Sequence, residues 1–380
     1  MSNSIKKILF ISGTRADYGK IKSLMTKVRT SSNYELLIFV TGMHTLSKFG
    51  LTYTEIEKDG FNNIYTYINQ NSNTRMDIAL SNTILGLSNY VQENKPDLIV
   101  IHGDRIEALA GAIVGALNNI RVAHIEGGEL SGTIDESIRH AITKFSHYHF
   151  VSNKAAEKRI VQLGEDQSNI YVIGSPDIDI MFSNKLPSLI EAKSRYDIDF
   201  ESYSIVLYHP VTTELDDLKT KAQSFVDGLI ATRRNYIVIS PNNDHGSELI
   251  DAAYNNLREN SHFKLFPSVR FEYFLTLLKH SDFIIGNSSS GVREAHIYKV
   301  PAINVGSRQN GRVEESLKSD IINVDENVSE IIEAVGHIDT ININSPSVFG
   351  NGNSADKFMQ AIDSKDFWDK PYQKKFYDIN

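Results

Sequence analysis

Carboxylates recur in this chain where short apolar runs end. Asp104 follows LIVIH, Glu126 follows RVAHI and stands before two glycines, and Asp135 and Glu136 open the helical pattern IDESIRHAITKF. Carboxylates held close together raise one another's pKa and so divide into proton acceptors and proton donors. Asp104, Glu126 and Asp135 would therefore form a general acid–base set if the fold brings them together, with Arg105 as a neighbouring cation. Each also has a plainer reading. Asp104 stands where a helix N-cap would stand, and acids are common in the first turn of any helix. The second half of the chain ends its apolar runs differently. His209 closes SIVLYH and suits either phosphate donation or acid–base work. Asn242, in the turn PNND after YIVIS, offers amide groups. Ser288, Ser289, Ser290 and Gly291 follow DFIIGN and open a helix carrying Arg293 and Glu294, while Arg308 and Arg312 follow AINVG. Small residues let a backbone close on a ligand, a helix start offers N–H groups and the positive end of a dipole, and the planar fork of arginine suits phosphate.

A third kind of turn lies near the start, where GTRADYGK follows the apolar run KKILFIS. Its glycines and its closing Gly-Lys suggest a phosphate cradle. The spacing excludes an ATPase phosphate loop, which needs four residues before Gly-Lys and a Ser or Thr after it; here five intervene and Ile21 follows. The dinucleotide fingerprint G-x-G-x-x-G is absent as well. What remains is a strand, a tight turn and a helix start with the cations Arg15 and Lys20, which suits an anion but equally fits an ordinary strand–helix turn.

The elements that must position these residues are legible in the same runs. ILFIS, ELLIFVT, DLIVIH, RVAHIE, YHFVS and IYVIG in the first half, and SIVLYH, YIVIS, FKLF, DFIIG, AINVG and IINV in the second, alternate with helical patterns. Continuous apolar strands separated by helices imply parallel, doubly wound α/β sheets covered on both faces. A length of 380 residues accommodates two such Rossmann-like domains. We expect them at 1–178, carrying the carboxylates, and 179–352, binding a nucleotide, with a hinge in the proline-containing stretch near 178–200. A helical tail, 353–380, is expected to pack back on the first domain. Two such domains facing each other would place a ligand in their cleft, at the carboxyl ends of the strands, so that Arg15 and Lys20 neutralise a diphosphate held by the second.

Composition narrows the class. Hydrophobic residues make up 41% and charged residues 23%, as in ordinary globular proteins, and a net charge of −8 with no basic stripe argues against nucleic acid. There is no cysteine, hence no disulfide, thiolate metal site or cysteine nucleophile. The N-terminal apolar stretch is too short for a signal peptide and no window approaches a membrane span, so the expectation is a cytoplasmic protein without a membrane partner. His147 and His149 alternate on one strand and His124 lies two residues from Glu126, but without cysteine or an H-E-x-x-H pattern they argue little for a metal.

Taken together, GTRADYGK, HGDRIEALAGA, HIEGGELSGTIDESIRH, IGSPDID, HPVTTE, GNSSSGVREA and GSRQNGR resemble the hydrolysing UDP-N-acetylglucosamine 2-epimerases of bacterial sialic-acid synthesis. The resemblance implies a two-domain, glycosyltransferase-B-type fold that needs no metal or other cofactor and assembles as a homodimer or homotetramer. It implies conversion of the nucleotide sugar UDP-N-acetylglucosamine, with water, to N-acetylmannosamine and UDP through 2-acetamidoglucal. It assigns the acids to Asp104, Glu126 and Asp135, with Glu136 a rival for the third role. It assigns the nucleotide-diphosphate contacts to Arg15, His209, Ser288, Ser289 and Arg308, and a ribose contact to Glu294. A relative acting on GDP-linked diacetylbacillosamine, a retaining glycosyltransferase of the same architecture and a nucleotide-sugar-binding regulator are the competing readings.

Overall fold

The computed structural model describes residues 5–130, 134–184, 186–241, 244–310, 320–341, 343 and 349–378. It divides into two compact units. The first comprises Met1–Glu129, Asp135–Ser183 and Val348–Asn380; the second comprises Leu130–Ile134 and Asn184–Ser347.

The first unit is built on a seven-stranded parallel sheet in the order β3-β2-β1-β4-β5-β6-β7. Its strands are β1 (Lys6–Ser12), β2 (Tyr34–Val40), β3 (Ile64–Thr66), β4 (Leu98–His102), β5 (Arg121–Ile125), β6 (Tyr148–Val151) and β7 (Ile170–Val172). Side chains of a strand point alternately to the two faces, so each strand feeds two cores. From β1, Ile8 and Phe10 join a core with α1 (Arg15–Thr30) and the C-terminal helices α15 (Ser354–Ile362) and α16 (Lys365–Asp369). Leu9 and Ile11 join the opposite core, under α3 (Met76–Asn94), α4 (Ile106–Leu117) and α5 (Ile134–Phe145). The tail is therefore part of the first unit: Phe358 lies against Phe150, and Phe367 stacks on Tyr148 with ring centroids 3.8 Å apart. Strand β3 carries no continuous apolar run; two of its three residues are exposed, as an edge position allows, and only pairing with β2 reveals it. The remaining helices of the unit are α2 (Tyr53–Lys58), α6 (Lys154–Gln162) and α7 (Pro176–Met181); α7 ends within the stretch expected as a hinge, where the chain passes to the second unit after Ser183 and forms α8 (Leu189–Arg195).

The second unit repeats the plan with six parallel strands in the order β10-β9-β8-β11-β12-β13. They are β8 (Ser204–Leu207), β9 (Tyr236–Ile239), β10 (Phe263–Phe266), β11 (Ile284–Gly286), β12 (Ala302–Val305) and β13 (Ile321–Val324). Helices α9 (Leu215–Thr232), α10 (Ser247–Tyr254) and α14 (Val328–His337) bury one face of it, and α11 (Phe271–Lys279) packs against α8. Among the described residues no helix is long and apolar enough to cross a membrane.

Several histidines are consumed by this architecture. His44 is buried between the hydroxyls of Ser12, at 2.9 Å, and Thr52, at 2.6 Å. His124 on β5 donates through Nε2 to the Gly103 carbonyl at 2.7 Å. His147 accepts from the Val122 N–H at 3.1 Å and reaches the Tyr372 carbonyl with its other nitrogen, also at 3.1 Å. Burial, ahead of every other cause, lowers these imidazoles to about 4, 3 and 4 respectively, from the ordinary 6.5. The unfolded chain therefore takes up protons below about pH 6.5 that the folded chain refuses, so stability must fall as the pH drops from 6.5 towards 4. Each histidine contributes a slope of at most about 1.4 kcal/mol per pH unit. Urea denaturation across that range should show the decline, and H147Q should make it shallower; equal stability at pH 7 and pH 5 would contradict this assignment.

Candidate active site

In the turn after β1 the backbone N–H groups already hold an acid. Asp17 accepts from the backbone N–H groups of Gly13 at 2.9 Å and Thr14 at 3.0 Å, and from the Ser12 hydroxyl at 2.8 Å. Thr14 in turn caps α1 by accepting from the Asp17 N–H. The anion in this cradle is the protein's own side chain. Arg15 makes a two-pronged pair with Glu55 on α2, at 3.0 and 2.6 Å. Lys20 points elsewhere: its Nζ lies 2.9 Å from Asp177 and 3.9 Å from Glu126. In this structure the two cations thus have separate partners.

Around Lys20 the acids gather. Glu126, only 4% exposed, directly follows β5 in the left-handed region with φ of 62°. That conformation is unusual for a residue with a side chain and marks a position held by its surroundings. Its N–H is held by the Phe150 carbonyl at 2.8 Å. His102, the last residue of β4, lies 3.1 Å from one carboxylate oxygen, and the Ser175 hydroxyl donates to the other. Ser175 and Asp177 both belong to the turn into α7. The two glycines after Glu126 are needed for space: a Cβ on Gly127 would sit 2.8 Å from His124, and one on Gly128 would sit 2.4 Å from the Ala156 carbonyl.

Asp104 does not cap α4. That helix begins at Ile106 with Arg105 at the N-cap, and Asp104 lies one residue earlier, where it accepts a charged hydrogen bond from Arg139. Arg139 sits on α5 and also donates to the Glu129 carbonyl at 2.9 Å. Residues four apart share a helix face, so Asp135 lies on the Arg139 side of α5. Glu136 belongs to the neighbouring side, where it meets His140 at 3.4 Å. Arg105 leans back to Glu107 at 3.3 Å, and Glu107 is buried where a Cβ on either Gly13 or Gly42 would collide with it.

The second unit gathers its strand-end residues around Asn287. This side chain is fully buried; its Oδ1 accepts from the His209 N–H at 2.7 Å and its Nδ2 donates to the His209 carbonyl at 2.8 Å. Its own carbonyl accepts from Arg308 at 3.2 Å and from Gln309 at 2.7 Å. One asparagine thus ties together the loops after β8, β11 and β12. Gly286 before it admits nothing larger, because a Cβ would sit 2.0 Å from the Leu207 carbonyl. The single helix expected after NSSSG is two short ones, α12 (Ser289–Val292) and α13 (Glu294–Tyr298), broken at Arg293. Ser288 caps the first by accepting from the Ser290 N–H, Gly291 donates to the Ser288 carbonyl, and Glu294 is buried at the start of the second. Asn242 and Arg312 lie outside the described residues.

The structure thus places Asp104, Arg105 and Glu126 in the turns after β4 and β5, Lys20 beside Glu126 and Asp135 in the first turn of α5; in the second unit His209, Ser288 and Arg308 lie in the loops after β8, β11 and β12, and Arg293 and Glu294 at the start of α13. His102, Glu107, Arg139, Ser175, Asp177, Asn287 and Gln309 are additional to the residues nominated from sequence. The available signal was proximity: each sits within a few positions of a nominated strand end or helix start.

Comparisons with known proteins follow the same lines. The profile of the family described as UDP-N-acetylglucosamine 2-epimerase matches residues 26–363. A UDP-N-acetylglucosamine 2-epimerase of Neisseria meningitidis serogroup B is 43% identical over 380 residues, covering 99% of this chain and 100% of that protein. The Legionella pneumophila UDP-N,N'-diacetylbacillosamine 2-epimerase (hydrolyzing) is 33% identical, covering 94% and 96%. The polysialic acid biosynthesis protein P7 of Escherichia coli is 34% identical, covering 81% of each chain. Among solved structures, a Neisseria meningitidis UDP-GlcNAc 2-epimerase bound to UDP-GlcNAc matches in fold with a TM-score of 0.80, at 16% identity, covering 94% of this chain and 99% of that one.

Truncating Asn287 isolates the second cluster. N287A leaves the His209 N–H and carbonyl without their buried partner, which should cost about 1–3 kcal/mol in urea denaturation. Unchanged stability would show that water replaces those bonds.

Proposed function

The chain belongs to the UDP-N-acetylglucosamine 2-epimerase family, and from that premise we propose that it is a hydrolysing epimerase. On this reading it converts UDP-N-acetylglucosamine and water to N-acetylmannosamine and UDP, as the first step of sialic-acid synthesis. The observation that carries the reading is the seating of Glu126: a buried carboxylate in a left-handed conformation directly after β5, surrounded by His102, Ser175 and Lys20, with the Asp104–Arg139 pair on the adjacent loop and helix.

The chemistry makes specific demands. The hydrogen on sugar carbon 2 is not beside a carbonyl and is very weakly acidic. It becomes removable if UDP departs from carbon 1 first or concurrently, building positive charge next door. The departing diphosphate gathers negative charge, which we assign to the helix-capping serines, His209 and the arginines of the second unit. A first-unit carboxylate takes the proton from carbon 2 while the C1–O bond to UDP breaks, leaving the double bond of 2-acetamidoglucal. Water then adds its oxygen to carbon 1 and gives up one proton to a carboxylate, while a second acid delivers a proton to carbon 2 from the opposite face, so the product has the manno configuration. Glu126, with three donor groups around it, suits an ionised acceptor. We assign the third acid role to Asp135; its place on the α5 face of Arg139, with Glu136 turned to His140, supports that choice. The higher identity to the Neisseria protein supports N-acetylglucosamine over diacetylbacillosamine as the sugar.

Incubation with UDP-N-acetylglucosamine in heavy water, without any acceptor, should release UDP and N-acetylmannosamine carrying one deuterium at carbon 2. Unlabelled product would exclude the proton-exchange route, and a requirement for an acceptor would favour a glycosyltransferase. E126Q should lower turnover by on the order of 10²–10⁴-fold while UDP affinity stays near that of the parent, because general acid–base groups contribute that much to rate.

A further inference from the structure

The C-terminal tail does more than complete a core. Beyond α16 it crosses the first unit, and Lys370, Tyr372, Lys374, Phe376 and Tyr377 are fastened there. The Tyr372 hydroxyl accepts from Arg121 at 2.6 Å, and its carbonyl meets His147. The Tyr377 N–H donates to the Gly164 carbonyl at 3.0 Å, and Phe376 lies so close to Gly164 that a Cβ there would sit 2.3 Å from its ring. Between them stands Lys374. Its ammonium donates to the carbonyls of Thr143 at 3.1 Å, Lys144 at 3.0 Å and Ser146, and pairs with Glu165 at 2.7 Å.

Those carbonyls are the C-terminal end of α5. The last carbonyls of a helix have no partner within it, and a cation is favoured there by the helix dipole. Here the cation comes from a residue more than two hundred positions away. Glu165 is committed to the same junction, meeting Lys144 at 2.7 Å and His149 at 3.3 Å as well as Lys374. Burial alone would raise its carboxyl; the hydrogen bond from His149 and the nearby ammonium groups outweigh this and hold it down at about 2.

What α5 carries makes the junction matter. Asp135 stands in its first turn, Arg139 binds Asp104 one turn later, and the Thr143 hydroxyl lies 3.5 Å from Nδ1 of His124, the imidazole whose other nitrogen holds Gly103. We propose that Lys374 is a positioning residue: the C-terminal tail clasps the end of α5 and thereby sets Asp135, the Arg139–Asp104 pair and the His124-supported turns for the proton transfers. The proposal rests on the epimerase reading for its effect on rate, but not for its effect on α5.

The test therefore has two readouts. In the full-length K374M variant, amide hydrogen exchange in residues 139–145 should quicken about tenfold or more, while the strands of the second unit keep their protection. The kcat for UDP release from UDP-N-acetylglucosamine should fall about tenfold or more, since small misplacements of a catalytic group can cost on the order of 10²-fold, with KM and UDP affinity little changed. K374R should restore both. Unchanged exchange in α5, or an unchanged kcat in folded K374M, would overturn the proposal. Should K374M fail to fold, K374Q must lose both properties and K374R keep them; equal behaviour of the two would overturn it as well. A wild-type protein that releases no UDP would count against the epimerase reading alone, and the exchange experiment would still decide the clasp.

Discussion

The carboxyl end of a parallel strand is where the chain leaves a ladder that satisfied its N–H and C=O groups, and buried groups left without partners are costly. In this protein three buried or half-buried side chains close that deficit, and the candidate site is built on them. Asp17 takes the N–H groups after β1, His124 takes the Gly103 carbonyl after β4, and Asn287 takes both polar groups of His209 after β8. Each fixes a turn that bears a proposed functional residue, so the geometry of the acids and donors is inherited from how backbone polarity is satisfied.

Charge is managed by the same economy. The first-unit cations nominated as anion contacts each have a carboxylate: Arg15 with Glu55, Arg105 with Glu107, Lys20 with Asp177. The acids in turn have cations, Asp104 with Arg139 and Glu126 beside Lys20. Ionised groups taken out of water need such partners, and a carboxylate already held by donors needs little rearrangement when it accepts a proton from a substrate. Lys20 is the joint of this network, since it touches both the strand-end acid and the acid opening α7.

Glycines mark the places where two such networks meet at backbone distance. Gly127 gives room to His124, Gly13 and Gly42 give room to Glu107, and Gly286 lets β11 pass the Leu207 carbonyl. At each, a methyl group would push on a residue that itself positions a proposed functional residue. The small residues of the strand-end motifs thus serve packing between loops, in addition to any close approach by a ligand.

The apolar runs were sufficient to specify the parallel strands, their alternation with helices and the acids and serines at their ends, because hydrophobic patterning and turn chemistry are local properties. The edge strand β3 was illegible because two of its three residues face water and only pairing with β2 defines it. The plainer reading of Asp104 as a helix cap gave way to an ion pair with Arg139, thirty-five positions along the chain, which no local pattern encodes. The same holds for Ser175 and His102 against Glu126, Lys20 against Asp177, and Lys374 against the end of α5. That Asp17 turns back onto the N–H groups of GTRADYGK and that Arg15 pairs with Glu55 is likewise not written in the local pattern. Residue types at strand ends are written in the sequence, but which charge meets which is decided by the tertiary structure, because those partners are brought together only when distant strands and helices pack.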